Sequence, residues 1–149
     1  MSRGCDADPA ALARACADAM WADDRASPGL GMRLESIGPG RAIMTMPITA
    51  TMVNGHGMCH GGFIFALADS TFAFACNTYG ERMVAQHCAI TFLRPGHLDD
   101  VLRAEAIERA RSGRSGIYDV RVTGGDGGVV AEFRGHSRGT GARFFATEG

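Results

Sequence analysis

One stretch of this chain, Gly61 to Cys76, constrains the fold more than any other. Phe63 to Ala68 and Phe72 to Ala75 are apolar throughout, and almost no polar face remains. A helix that is apolar around its whole circumference has no side to offer water, so other elements must enclose it. Those elements read as strands. After a Gly38-Pro39-Gly40 turn, Ala42, Met44 and Met46 alternate with Arg41, Ile43 and Thr45, which predicts a hairpin beginning at about Met32. Four further segments, Val84–Leu93, Val101–Ile107, Gly116–Val122 and Val129–Arg134, behave alike, with Tyr118, Val120 and Val122 alternating most clearly. Gly124 to Gly128 turns the chain between the last two. Alternation, in place of continuous apolar runs, marks an antiparallel sheet with one face on a core. The predicted class is α+β: about five to six antiparallel strands wrapped around one long central helix.

Ahead of the hairpin, Pro9 to Asp24 is alanine-rich, with Asp8 placed to cap and Pro9 in the first turn. Leu12, Cys16 and Met20 share one face, so an N-terminal surface helix is expected over about residues 9–24. The tail over about residues 139–149 is expected to be irregular. With 149 residues and 46% hydrophobic content, the chain suits one compact domain over residues 1–149.

A formal net charge of −1 provides no overall field to gather nucleic acid or anionic lipid. All 15 cationic side chains are arginines, which excludes a Schiff-base lysine and a phosphate-loop lysine. Arginine favours planar, bidentate capture of phosphate instead. Cys5, Cys16, Cys59, Cys76 and Cys88 are odd in number and never form a C-x-x-C pair, so reduced thiols are expected. Asp6, Asp8, Arg14 and Asp18 interrupt any leader-like apolar run, and no stretch is long enough to span a bilayer. These features fit a cytoplasmic protein without nucleic-acid or membrane partners.

Asp69 is the only carboxylate in the apolar segment. Burying an unpaired carboxylate costs several kcal/mol unless its pKa rises or hydrogen bonds compensate, and such groups are enriched at active sites. A plain alternative is a polar stripe of Asp69, Ser70 and Thr71 facing solvent or a subunit. Upstream, Asn54-Gly55-His56-Gly57-Met58-Cys59-His60-Gly61-Gly62 runs directly into the helix. Its glycine amides lie where unpaired N–H groups and the helix dipole favour negative charge, as an oxyanion requires. The Asn54 side chain adds an amide able to donate to a carbonyl oxygen. Eight residues of helix separate Gly61 from Asp69, roughly 12 Å along the axis. If both serve one carbonyl, they come from different protomers, and the active unit is at least a dimer.

Three other motifs lack the context their chemistry needs. Gly135-His136-Ser137-Arg138-Gly139 matches the G-x-S-x-G nucleophile elbow, but no histidine follows it and its strand context is wrong. His56, Cys59 and His60 lack a fourth nearby ligand, so no metal site is expected. Gly55, Gly57 and Gly61 miss the dinucleotide fingerprint by one residue.

Taken jointly, Asn54-Gly55-His56, Cys59-His60-Gly61-Gly62, Ala68-Asp69 and Phe92-Leu93-Arg94-Pro95-Gly96 resemble the phenylacetic acid degradation thioesterase (PaaI) branch of the hot-dog superfamily. The likeness runs from about Gly31 to Ser137. It implies a hot-dog fold and hydrolysis of acyl-CoA thioesters to acid and CoA, with arylacetyl groups such as phenylacetyl or hydroxyphenylacetyl preferred. It implies Asp69 as the catalytic carboxylate, either as general base on water or as nucleophile through a mixed anhydride. By the same resemblance, Gly61 N–H and Asn54 polarise the thioester carbonyl, while His60 steadies the loop. Where relatives carry a serine or threonine near the attacking water, this chain has Ala73 and Ala85. No cofactor is implied beyond the CoA of the substrate, and a homodimer or homotetramer is.

For substrate contacts, Gly62, Phe63 and Phe72 are candidates around the acyl group. Arg94, Arg111, Arg114, Arg134 and Arg138 are candidates for the CoA phosphates. Two further functions compete with hydrolysis. A hot-dog hydratase or dehydratase needs a histidine paired with the carboxylate, for which His60 is the candidate. A non-catalytic acyl-CoA binding module needs only the pocket.

Overall fold

The computed structural model describes residues 8–146. Cys5, Asp6 and the last three residues of the tail lie outside that range. Helix α1 (Pro9–Asp23) starts as its sequence dictates, with the Asp8 carboxylate accepting from Ala10 N–H at 3.3 Å and Pro9 in the first turn. Its inward face is Ala13, Cys16 and Ala17, all buried, while Leu12 and Met20 sit at the margin. Small residues there let the helix lie close to the sheet edge. A short α2 (Ala26–Gly29) leads into β1 (Arg33–Gly38) and β2 (Arg41–Pro47), joined by the Gly38-Pro39-Gly40 turn. Gly40 has φ of +67°, and a side chain there would strike the Tyr79 hydroxyl and Glu108.

The long helix α3 (Gly61–Cys76) follows, then β3 (Glu81–Phe92), β4 (Val101–Ser112), β5 (Ser115–Thr123) and β6 (Val129–Arg143). All pairings are antiparallel, in the spatial order β1-β2-β4-β5-β6-β3. The sheet wraps α3. Ala42, Met44, Met46, Leu102, Ala104, Ala106, Tyr118, Val120, Val122, Ala131 and Phe133 line its inner face against Leu67, Ala68, Phe72, Phe74 and Ala75 of the helix. The alternation read from the sequence is this inner face.

Strand lengths differ from expectation in a consistent way. β4 runs five residues past Ile107, and β6 runs to Arg143, so the tail expected to be irregular from about residue 139 is strand for its first five residues. The reason is that these arms extend beyond the core. Arg109 to Ser112 and Thr140 to Arg143 are exposed on both faces, so no alternation marks them. A bulge between Glu108 and Ala110 further breaks the period of two. Backbone pairing alone carries them, Arg111 opposite Gly116 and Arg143 opposite Glu81.

Two strands lie at the sheet's edges. β1 is short, bulged and packed beside α1, whereas β3 presents twelve residues with neither lysine nor proline. Val84 and Phe92 on that edge strand, and Leu93 just beyond it, are 53%, 49% and 58% exposed.

Candidate active site

The loop before α3 is built by its own asparagine. Asn54 Oδ1 accepts from the backbone N–H of His56 at 2.9 Å and of Met58 at 3.2 Å, closing a tight turn. Gly57, with φ of +74°, completes it by donating to Asn54 O. With the amide oxygen engaged in the turn, the Asn54 NH₂ is the group left to meet a ligand. His60 then caps α3: its Nδ1 accepts from Gly62 N–H at 3.0 Å. The ring ties the loop to the first turn of the helix. The cap occupies Gly62 N–H, while Gly61 N–H donates to no acceptor among the described residues. A free N–H at a helix start, aligned with the dipole, is an oxyanion donor in waiting.

Phe92-Leu93-Arg94-Pro95-Gly96 clamps this loop. Cys59 N–H donates to Gly96 O at 2.8 Å, and Met58 bridges to His97. The Phe92 ring packs over Gly61, its Cζ 2.9 Å from where a Cβ on residue 61 would stand, so any larger residue there requires that ring to shift. Arg94 folds over Gly128 and pairs with Asp126. Asn54, Met58, Cys59, Gly61, Ile64, Phe92, Leu93, Arg94 and Pro95 together bound an open cleft of about 370 Å³.

Asp69 is not in that cleft. It lies two turns along α3, half-buried against β3, where the Cys88 thiol points at its Oδ1 from 3.9 Å. Burial pushes the Asp69 carboxyl above the usual carboxylate value, and the Cys88 contact pulls it partly back. Its neighbours do not form a stripe with it: Ser70 Oγ pairs with Ser27 Oγ of α2 at 3.0 Å, and Thr71 Oγ1 donates to Leu67 O at 2.7 Å. Asp69 alone is left facing the β3 edge. Asn77, two turns further on, grips the Met83 backbone from both sides, accepting at 2.7 Å and donating at 3.2 Å.

The other sequence candidates are dispersed. Phe72 is 1% exposed and packs at a tilt between Tyr118 and Phe133 over Gly135, so it belongs to the core and not to the cleft. Phe63 and Gly62 remain at the helix start, Phe63 edge-on to His60. The arginines are not gathered. Arg94 sits at one end of the sheet; Arg111, over the Tyr79 ring at 3.5 Å, and Arg114 flank the β4–β5 turn at the other. Arg134 is held by Asp119 through two hydrogen bonds of 2.7 and 2.9 Å. Arg138, opposite Val84, lies towards the Arg111 end. The Cys88 contact and the Phe92 clamp were not read from sequence, because an apolar strand position carries no mark of which helical residue it faces. Among the described residues, no three His, Cys, Asp or Glu side chains converge as metal ligands would, and no helix is long and apolar enough to cross a membrane.

Comparison with known proteins gives the family and the fold. Residues 56–131 match the family model of the thioesterase superfamily. The chain is 45% identical to acyl-coenzyme A thioesterase PaaI of Escherichia coli over 81% of its own length and 86% of the relative's. Its fold is similar to the solved E. coli PaaI protein from the phenylacetic acid degradation operon, with a TM-score of 0.90, 41% identity and coverage of 91% of this chain and 99% of that one. A thioesterase protein from Streptococcus pneumoniae, solved with coenzyme A, superposes with a TM-score of 0.72 at 26% identity, over 75% of this chain and 88% of that one.

Proposed function

This chain belongs to the thioesterase superfamily, and from that membership we propose that it hydrolyses acyl-CoA thioesters to the free acid and CoA, with arylacetyl groups such as phenylacetyl or hydroxyphenylacetyl as the acyl part. The observation that carries the mechanism is the division of α3 into two chemistries. An N–H with no acceptor among the described residues stands at its start, and a half-buried carboxylate stands two turns on, facing an exposed strand edge.

Roughly 12 Å of helix keeps the two apart within one protomer. Antiparallel pairing of two β3 edges about a two-fold axis would bring the Phe92 end of one strand beside the Val84 end of the other. The Asn54–Gly61 cleft of one protomer would then meet Asp69 of its partner. Such a dimer also accounts for the apolar surface of α3 that one protomer leaves half-buried at Phe63, Phe65 and Ala66. A homotetramer would pair two such dimers.

In this arrangement the Gly61 N–H and the Asn54 NH₂ polarise the thioester carbonyl and hold the oxyanion. Asp69 either takes a proton from the attacking water or attacks the carbonyl carbon itself. A C–O bond forms, the C–S bond breaks, and the CoA thiolate leaves and is protonated. No cofactor beyond the CoA of the substrate is needed. Arg94 at the rim of the cleft is the arginine best placed for the CoA moiety. Free Cys16, Cys59, Cys76 and Cys88 fit a reducing, cytoplasmic setting.

Thiol release measured across phenylacetyl-, hydroxyphenylacetyl- and straight-chain acyl-CoAs tests both reaction and acyl class. Turnover fastest on the arylacetyl substrates is the expected result. Hydration of crotonyl-CoA in place of thiol release would reassign the chain to the hydratases, and binding without either reaction would make it an acyl-CoA binding module.

A further inference from the structure

We infer that Cys88 is a positioning residue for Asp69: its thiol donates to Oδ1 and so leaves Oδ2 as the oxygen that meets water or the thioester carbon. This deepens the thioesterase reading and rests on Asp69 being the reacting carboxylate. Cys88 Sγ lies 3.9 Å from Asp69 Oδ1, and among the described residues no other group donates to that carboxylate.

The contact is built from two elements. On α3, Asp69, Ala73 and Asn77 fall four residues apart and form one stripe along β3. Asn77 fixes the far end of that stripe through its double grip on Met83, so the spacing of helix and strand at Asp69 is set from a distance. On β3, Cys88 pairs with Gly135 of β6, which bears no side chain to crowd the thiol away from the helix. The half-buried thiol is therefore aimed at the carboxylate by packing on both sides.

Its protonation state suits a donor. Burial, and then the charge of Asp69, push the Cys88 thiol upward, so it stays S–H where the carboxylate is ionised. The other titratable groups around this face are few. Cys76 further along α3 is pushed up to about 12 by burial, and Tyr118 of β5 is also raised by burial, with a hydrogen bond to Glu108 of β4. Asp24 caps the Ser27 N–H of α2. The residues that β2 and β6 direct at α3 are Ala42, Met44 and Met46, and Phe133, Gly135 and Ser137, none of which titrates.

The test is the pH profile of kcat/KM for phenylacetyl-CoA in Cys88→Ala and Cys88→Ser, made in the full chain, with Tm recorded for each. Without the donor, Cys88→Ala should move the acid limb to higher pH and lower kcat about three- to tenfold on that limb, the size of one modest hydrogen bond, with KM unchanged. Cys88→Ser keeps a donor, so its limb should stay at or below that of the unaltered chain and its kcat should recover. A limb unmoved in Cys88→Ala, or moved equally in both variants, overturns the inference even if Tm falls. Should Cys88→Ala fail to fold, Cys88→Val, which also lacks a donor, takes its place: a raised limb sustains the inference and an unmoved one overturns it. The underlying reading fails separately, through full turnover in Asp69→Asn.

Discussion

Removing the charge of Asp69 should move stability and turnover in opposite directions. Its folded-state pKa is raised by burial above the unfolded value of about 3.9. The folded chain therefore binds that proton more tightly than the unfolded chain does. This contribution to stability is complete below the unfolded value and is lost as pH rises through the folded one. At neutral pH the chain bears an ionised group that its surroundings disfavour, and Asp69→Asn does not. Thermal melts should place Asp69→Asn above the unaltered chain at pH 7, with the gap closing as the pH falls below about 4. Turnover should drop by ~10²–10⁴-fold in the same variant, since the carboxylate is what acts on water or carbon. A variant that melts lower at pH 7 and closes no gap in acid would contradict the burial argument.

Among the elements, α3 depends on close approach to the strands around it. The Phe72 ring lies flat against Gly135 of β6, 2.8 Å from where a Cβ would stand. Gly135→Ala should force that ring out of its place between Tyr118 and Phe133 and cost ~1–3 kcal/mol, read as a lowered Tm or denaturation midpoint. A midpoint equal to that of the unaltered chain would mean the core yields more easily than this packing allows. Strand positions were legible where they faced this helix: Ala42, Met44, Met46, Tyr118, Val120 and Val122 alternate because each second residue enters the core. The outer arms of β4 and β6 were not legible, since neither face of them is buried. Helix α1 was legible at its start, where Asp8 and Pro9 act locally, and less so on its buried face, which is Ala13, Cys16 and Ala17.

For the whole molecule, the decisive question is which chains share a site. If Asp69 of one protomer works with Asn54 and Gly61 of another, inactive Asp69→Asn and Asn54→Ala chains, refolded together, form mixed dimers with one intact site and one doubly altered site. Random mixing should restore about a quarter of the normal sites, half the dimers each contributing one of two. Homodimers of either variant should stay silent, and a mixture with no recovered thiol release would place the whole site within one chain.

What the sequence determined by itself was local or periodic. The enclosed helix, the alternating strands, the Gly38-Pro39-Gly40 turn, the acid at Asp69 and the glycine loop before it are each written within a few residues, because capping, turning and facing a core are short-range demands. Only the tertiary structure decided which partners meet across long stretches of chain: Cys88 with Asp69, Phe92 with Gly61, Asn77 with Met83, and the dispersal of the arginines to opposite ends of the sheet. Those contacts depend on strand register and on how deeply the helix seats. Both are set by the sum of packing over the whole sheet, and no short segment encodes that sum.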